Sequence, residues 1–144
     1  MLKPGFRAWL LVATLVCLVS SVGCGSKKGT PLTGKVLLPD KVKLDTNDTA
    51  TVRFVSDQKG GPGAVGKVNP SDLTFTVEVP PGSYKVGAEF VPYPGGKAND
   101  AHHKALKNLS ERFDAENSKM TYTVTSDSNQ TITVNLKEGK VTSP

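Results

Sequence analysis

Apolar and polar side chains alternate strictly in two neighbouring stretches near the middle of the chain, residues 73–79 and 84–90. A period of two places all apolar side chains on one face, which is typical of a β-strand with one buried side. Pro80-Pro81-Gly82 separates the stretches and predicts a tight turn. We therefore predict a β-hairpin. Because a lone hairpin is at best marginally stable in water, further strands must cover its apolar face.

Five more stretches show a similar pattern, and turn-forming residues accumulate between them. About seven short strands rich in Val, Thr and Tyr are typical of an all-β protein. The predicted fold class is therefore an antiparallel Greek-key β-sandwich of about seven strands, with the hairpin at its centre. The additional strands are predicted at residues 32–38, 50–54, 64–68, 120–125 and 131–136, with a shorter extended piece at 42–44.

One stretch has helical spacing instead. Apolar residues at positions 106, 109 and 113 follow His102 at intervals that place all four on one helical face. Asn99 or Asp100 is positioned to cap the N-terminus of such a helix. The spacing predicts a short helix near residues 101–113.

The first 23 residues have the composition of an export signal. Lys3 and Arg7 precede a largely apolar run at residues 8–22, which Gly23 and Cys24 follow. A positive flank, a short apolar core and small residues at the exit are typical of a secretory signal peptide. A membrane-spanning helix needs about 20 apolar residues, so a retained helical anchor is the weaker interpretation.

The exit of this segment resembles the lipobox of bacterial lipoproteins. In Ser21-Val22-Gly23-Cys24, a small residue precedes the cysteine that receives a diacylglycerol and becomes residue one of the mature protein. Cleavage there discards Cys17 and leaves Cys24 as the single cysteine. A lone thiol in an oxidising compartment needs an explanation, and lipidation of Cys24 by palmitate-like acyl chains supplies one. Cleavage by an ordinary signal peptidase and an uncleaved helix remain alternatives.

These features divide the chain into four predicted segments. They are a lipoprotein signal peptide at residues 1–23, a flexible tether at 24–32, a β-sandwich domain at 33–138 and a tail at 139–144. The tether is expected to be flexible because Gly, Ser, Lys and Thr dominate it. The predicted location is the cell envelope. Gly25, where lipoproteins kept at the inner membrane often have Asp, favours the outer membrane or its periplasmic face.

The charge balance argues against nucleic-acid binding. The chain has 18 basic and 13 acidic residues. Lys3 and Arg7 precede Cys24, so the chain from Cys24 onward keeps the other basic residues and has a net charge of about +3. The remaining basic residues are scattered among acidic ones, without interleaved aromatic residues that could stack on bases.

Two loops rich in Gly and Pro are the candidate binding surface, since loops at one end of a sandwich commonly carry binding. The first contains Gly61 and Pro62, and the second contains Tyr93. Whether the two loops lie at one end stays open at this point. Tyr84 and Gly82 are given structural roles: Tyr84 is placed like a tyrosine corner, whose hydroxyl bonds to a nearby backbone group.

His102 and His103 are the histidines of the chain and weak candidates for a metal site. Adjacent residues diverge on a helix and on a strand, so two neighbouring histidines rarely share a metal without other ligands. Asp100 and Glu111 are the oxygen ligands within reach in sequence. The simpler expectation is that His102 packs on the Leu106 face while His103 is solvated.

The order of elements resembles the carboxypeptidase-regulatory-like, or transthyretin-like (prealbumin-like), β-sandwich of bacterial lipoproteins. The resemblance lies in Gly34-Lys-Val36, in Thr51-Val-Arg-Phe-Val55, in Val79-Pro-Pro-Gly-Ser-Tyr-Lys-Val86, and in the segment from Leu109 to Leu136. It implies a seven-stranded sandwich used for binding, spacing or folding, usually without catalysis. The chain has Asn69-Pro-Ser-Asp72 where such domains carry Asp-x-x-Gly. It also lacks the Tyr-Arg-Gly-Ser C-terminus of the branch that opens 5-hydroxyisourate.

The sequence thus predicts a non-enzymatic, lipid-anchored envelope protein. Its domain is expected to be monomeric, to need no cofactor, and to bind or space a protein or carbohydrate partner. The alternative is a metal-dependent or hydrolytic enzyme centred on His102 and His103.

Overall fold

The computed structural model describes residues 29–95, 100–127 and 129–144, and these residues form one β-rich unit with a single helix. The all-β class and the short helix are therefore confirmed. All eight strands belong to one mixed sheet in the order β6-β5-β2-β3-β4-β1-β7-β8, which curves until it is nearly barrel-shaped. The elements are β1 (Thr30–Leu37), β2 (Thr49–Ser56), β3 (Ala64–Val68), β4 (Thr74–Val79), β5 (Gly82–Val91), α1 (Asp100–Phe113), β6 (Thr121–Val124), β7 (Gln130–Asn135) and β8 (Lys140–Thr142).

Alternating burial builds the core, as the period of two requires. In β4 and β5 the apolar positions point inward and the charged ones outward. Gly34 on β1 lies opposite Phe75 on β4, and a Cβ at Gly34 would overlap the phenyl ring. Glycine is therefore required there so that the large ring can pack across the strand pair.

The predicted central hairpin is wrong. β4 and β5 follow each other directly in sequence, but β4 pairs with β1 and β3, whereas β5 pairs with β2 and β6. Pro80 and Pro81 have no backbone N–H groups for a hairpin ladder, so the chain crosses to another part of the sheet instead of folding back. Gly82, with a φ of +155°, begins the new direction.

The sheet is also not purely antiparallel. β1 and β7 run parallel, with Leu32 beside Gln130 and Leu37 beside Asn135. Parallel neighbours need a long crossover connection, and here nearly the whole domain lies between the two strands. The ladder between β3 and β4 contains one residue pair, Val68 with Phe75. The sheet can therefore be divided at that point into two groups of four strands.

The strands extend beyond both predicted ends of the domain. β1 begins at Thr30, inside the segment assigned to the tether, and β8 (Lys140–Thr142) lies in the segment assigned to the tail. β8 is not evident in the sequence because its three residues are too few for a recognisable alternation. Residues 42–44, predicted as a shorter extended piece, have no regular secondary structure.

Tyr84 lies where the chain crosses between parts of the sheet. Its side chain is 1% exposed, and its hydroxyl donates a hydrogen bond of 2.7 Å to the carbonyl oxygen of Pro80. The ring meets Phe54 edge to face at a centroid distance of 6.3 Å. This is the contact that the tyrosine-corner interpretation of Tyr84 requires.

Helix α1 replaces a strand neighbour along the second half of β5. β6 pairs with β5 from Gly82 to Lys85 and no further. Beyond that point the hydroxyl of Ser110 accepts a hydrogen bond from Phe90 N (2.7 Å) and donates one to Phe90 O (3.0 Å). A polar helical side chain thus satisfies an otherwise open sheet edge, which positions the helix against β5.

Candidate functional site

The two ends of the sheet carry different loops. In the β2–β5 pair, Thr49 lies opposite Val91 at one end, and Ser56 lies opposite Tyr84 at the other. We call the first the Asp48 end; it carries residues 45–48, 92–95 and the start of α1. We call the second the Pro80 end; it carries residues 57–63 and 80–81.

The two predicted binding loops lie at opposite ends. Gly61 and Pro62 follow β2 at the Pro80 end, whereas Tyr93 follows β5 at the Asp48 end. At about 3.3 Å per residue, the seven steps along β2 between these ends span roughly 23 Å. Gly61, Pro62 and Tyr93 therefore cannot form one binding patch. The sequence alone left this open. Local alternation of apolar and polar residues indicates where a strand lies but not which strand it pairs with.

Asp48 is the centre of a polar cluster at the Asp48 end. The backbone N–H of Asp48 donates to the carbonyl of Asp45 (3.0 Å), and the N–H of Asp45 donates to Asp48 Oδ2 (2.8 Å). The backbone N–H of Tyr93 donates to Asp48 Oδ1 (2.9 Å). One carboxylate thus connects the turn before β2 to the chain leaving β5, while Tyr93 as a whole is 46% exposed.

His102 joins this cluster from the first turns of α1. Its Nε2 lies 2.9 Å from Asp48 Oδ2 and 3.7 Å from Asp45 Oδ2. The Asp48 side chain is 2% exposed, whereas that of Asp45 is 72% exposed. His102 therefore faces one buried and one solvated carboxylate. Of the oxygen partners expected from the sequence, Glu111 instead lies 3.9 Å from Lys107, and the Asp100 side chain is outside the described residues.

Asp48 is ionised at neutral pH although it is buried. Burial is the largest influence and by itself raises the pKa of Asp48. The hydrogen bonds from Tyr93 N and Asp45 N, followed by that from His102 and its charge, outweigh burial, so the pKa of Asp48 lies below its usual value of 3.8. The site therefore contains a fixed negative charge at the start of β2.

This arrangement has the composition of a metal-binding group. Asp45, Asp48 and His102 each offer one ligand atom, and the three atoms lie within 4.8 Å of one another. Two carboxylate oxygens and one imidazole nitrogen suit zinc and related divalent transition metals. Neither aspartate was predicted as a ligand, because residues 45–48 have the composition of an ordinary polar turn. The signal was a pair of acidic residues three apart, flanking that turn.

His103 is half-buried rather than fully solvated as expected. Its Nε2 is fully buried and has no hydrogen-bond partner among the described residues. An unsatisfied buried polar atom usually costs about 1–3 kcal/mol. The His102 and His103 rings lie 6.2 Å apart and are tilted by 48°, and His103 takes no part in the aspartate cluster.

Comparisons with known proteins were made against family models, curated proteins and solved structures. None of them matched. Cys24 and the predicted signal peptide lie outside the described residues. Within the described part of the chain, α1 is the single helix, and it is too short and too polar to cross a membrane.

Proposed function

We propose that this protein is a lipid-anchored, non-enzymatic module of the cell envelope that presents its Asp48 end to a partner. One observation carries the orientation: β1 begins at Thr30, six residues after Cys24, and Thr30 lies opposite Val79 at the Pro80 end. Six residues span at most about 20 Å. A lipid on Cys24 would therefore keep the Pro80 end near the bilayer and the Asp48 end away from it.

The sandwich description belongs to this proposal. It is supported by the single residue pair that joins β3 to β4, which leaves two groups of four strands. It is also supported by the crossing at Pro80 and Pro81, because a connection between sheets with a tyrosine corner is common in immunoglobulin-like sandwiches. The resemblance to transthyretin-like lipoprotein domains adds the expectation of binding or spacing without catalysis.

A protein or carbohydrate partner would meet Tyr93 on the outward end. The residue is 46% exposed, while its backbone N–H donates a hydrogen bond of 2.9 Å to Asp48. An aromatic side chain on a fixed backbone offers contact area at a small entropic cost, and its hydroxyl adds a hydrogen bond. By contrast, Gly61 and Pro62 at the Pro80 end would face the membrane and are not retained as partner contacts.

The lipid anchor is tested by replacing Cys24 with serine. We expect Cys24→Ser to release the protein from the membrane fraction and to abolish incorporation of labelled palmitate. Serine lacks the thiol to which the diacylglycerol is attached as a thioether. Cys17→Ser is the matched control and should leave both unchanged, since Cys17 would be removed with the signal. Membrane attachment that survives Cys24→Ser would rule out the anchor.

A second candidate function is binding of a divalent transition metal, favoured by the atoms that Asp45, Asp48 and His102 place within 4.8 Å. In this candidate site, His102 shares the metal with Asp45 and Asp48, whereas the sequence had suggested His102 with His103 as the centre of a metal-dependent activity. Three protein ligands with open positions would suit a metal that also binds a partner or substrate.

Titration calorimetry of the purified, untagged protein with zinc tests this candidate. We expect one zinc per chain, with binding at least about ten-fold weaker in Asp45→Asn, which replaces an exposed carboxylate ligand with a neutral amide and leaves the buried Asp48 in place. Asp57→Asn makes the same charge change at the Pro80 end and should bind zinc like the unmodified chain. Equal affinity of all three proteins, or no binding by any, would eliminate the site.

A further inference from the structure

Two chain segments at the Asp48 end border a groove. They are residues 37–44, which leave β1, and residues 70–73, in the turn between β3 and β4; the space between them is about 520 Å³. Both segments lie at this end, because β1 starts at the Pro80 end and because Val68, the last residue of β3, lies opposite Ala50 at the start of β2. The groove is therefore part of the surface that the proposed function turns toward a partner.

Both walls of the groove are held by backbone hydrogen bonds. On the first wall, Val42 N donates to the carbonyl oxygen of Pro39 (2.9 Å). On the second wall, Leu73 has a φ of 60°, which is rare for a leucine, and its carbonyl oxygen accepts a hydrogen bond from Val36 N (2.8 Å). The groove is therefore preformed, so that binding would have to order little of this protein.

The wall formed by residues 41–44 has the side-chain pattern of a strand but no strand neighbour. Lys41 and Lys43 are exposed and alternate with the half-buried Val42 and Leu44. Among the described residues, no hydrogen bond uses the backbone N–H of Lys43 or Leu44, or the carbonyl oxygen of any of the four. These main-chain groups are available to an extended segment of another protein, as in recognition by strand addition.

The charges around the groove are predominantly positive. Four lysines and two aspartates line it or adjoin its lining: Lys35, Lys41, Lys43, Lys137, Asp40 and Asp72. Lys137 binds Asp40 at 2.7 Å, and Asp72, which attracts Lys35, accepts two hydrogen bonds from Thr74. No carboxylate of the described residues lies within ion-pair distance of Lys41 or Lys43. Asp45, the next acidic residue along this wall, faces His102 instead. The groove therefore has an excess of positive charge.

We propose that this groove binds an extended acidic segment of a partner protein, with apolar side chains between its carboxylates. The apolar side chains would contact Leu73 and Leu37, which is 40% exposed, while the carboxylates would pair with Lys41 and Lys43. A small molecule fits less well, because the groove is open to solvent and small-molecule sites bury most of their ligand. An anionic membrane also fits less well, because the proposed anchor keeps this end away from the bilayer. The outward direction of the groove follows from the proposed function, on which this inference rests.

Fluorescence anisotropy with a labelled Glu-Leu-Glu-Leu-Glu peptide tests the groove, using the full chain purified with phosphatidylcholine nanodiscs. These discs carry no net charge, and peptide binding does not require a lipid on Cys24, so failure of the anchor and failure of the groove are distinguishable. We expect saturable binding of one peptide per chain. Lys-Leu-Lys-Leu-Lys should not bind, because its charge is reversed. Glu-Gly-Glu-Gly-Glu should bind at least about five-fold more weakly, because it lacks the apolar contact.

Substitutions of exposed groove residues connect peptide binding to this surface. Lys43→Glu should weaken binding of Glu-Leu-Glu-Leu-Glu at least about ten-fold, since it places like charges opposite each other. Leu37→Ser should weaken binding about five-fold, since it removes an apolar contact and leaves every charge unchanged. Lys59→Glu makes the same charge reversal at the Pro80 end and is the matched control, which should leave the affinity unchanged.

Several results would overturn the proposal. They are no saturable binding of the acidic peptide up to about 1 mM, equal binding of the acidic and basic peptides, or an equal loss of affinity in Lys43→Glu and Lys59→Glu. Two other occupants have their own signatures. Lys43-dependent binding to phosphatidylglycerol nanodiscs without peptide binding would indicate a membrane contact, and Lys43-dependent self-association without peptide binding would indicate a second copy of this chain. Either result would replace the acidic partner segment.

Discussion

Replacing Tyr84 with alanine is expected to lower the free energy of unfolding by about 3–5 kcal/mol, which is typical for removing a buried aromatic ring. The ring is almost completely buried and packs edge to face on Phe54. Loss of the ring opens a cavity at the start of β5, directly after the chain crosses from β4. Because β4 and β5 do not pair, no hydrogen bonds between these strands stabilise this point. The measurement is urea denaturation at neutral pH. The dependence of the unfolding free energy on urea concentration, the m-value, should stay unchanged.

Tyr84→Phe separates packing from hydrogen bonding. It keeps the ring and removes only the 2.7 Å bond to the carbonyl of Pro80, so it should cost about 1 kcal/mol. Burial raises the pKa of Tyr84 further above its usual value of 10, so the hydroxyl is protonated and can donate throughout the neutral range. If both substitutions cost the same, or if neither has a measurable effect, Tyr84 does not hold the crossing.

The success of sequence reasoning for single strands and its failure for their partners have the same cause. Alternation in residues 73–79 and 84–90 reports which face of each strand is buried, because that depends on local spacing. It does not report which strand lies alongside. The turn at Pro80 and Pro81 has the length of a hairpin turn, and only the lack of N–H donors on both prolines distinguishes it from one.

The candidate site shows the same division. The helix containing His102 and His103 was predicted from its spacing, but the partner of His102 lies 54 positions earlier, at Asp48. Such a pair forms because β2 and β5 are neighbours and α1 follows β5 at their shared end. No local pattern contains that information. In the sequence, Asp48 looks like an ordinary turn residue. Of the groups that its carboxylate binds, only the backbone N–H of Asp45 is close in sequence.

Replacing Asp48 with asparagine is expected to destabilise the fold by about 3 kcal/mol at neutral pH, the lower part of the range for breaking a buried charged interaction. The carboxylate accepts hydrogen bonds from Tyr93 N, Asp45 N and His102 through both of its oxygens. Asparagine has only one oxygen, so its amide N–H₂ would have to face at least one of these donors. His102→Ala should cost less, because the two backbone hydrogen bonds to Asp48 would remain.

The same variant has a distinct pH signature. Because folding lowers the pKa of Asp48 below 3.8, its ionisation stabilises the fold fully above the unfolded pKa, and this stabilisation is lost as the pH falls through the folded value. The difference in unfolding free energy between the unmodified protein and Asp48→Asn should therefore shrink as the pH falls below about 4. Asp57→Asn, the same substitution at an exposed position at the Pro80 end, is the control variant. A difference that stays constant down to about pH 2.5 would mean that Asp48 acts through its shape rather than its charge, and the polar cluster would then not require an ionised carboxylate.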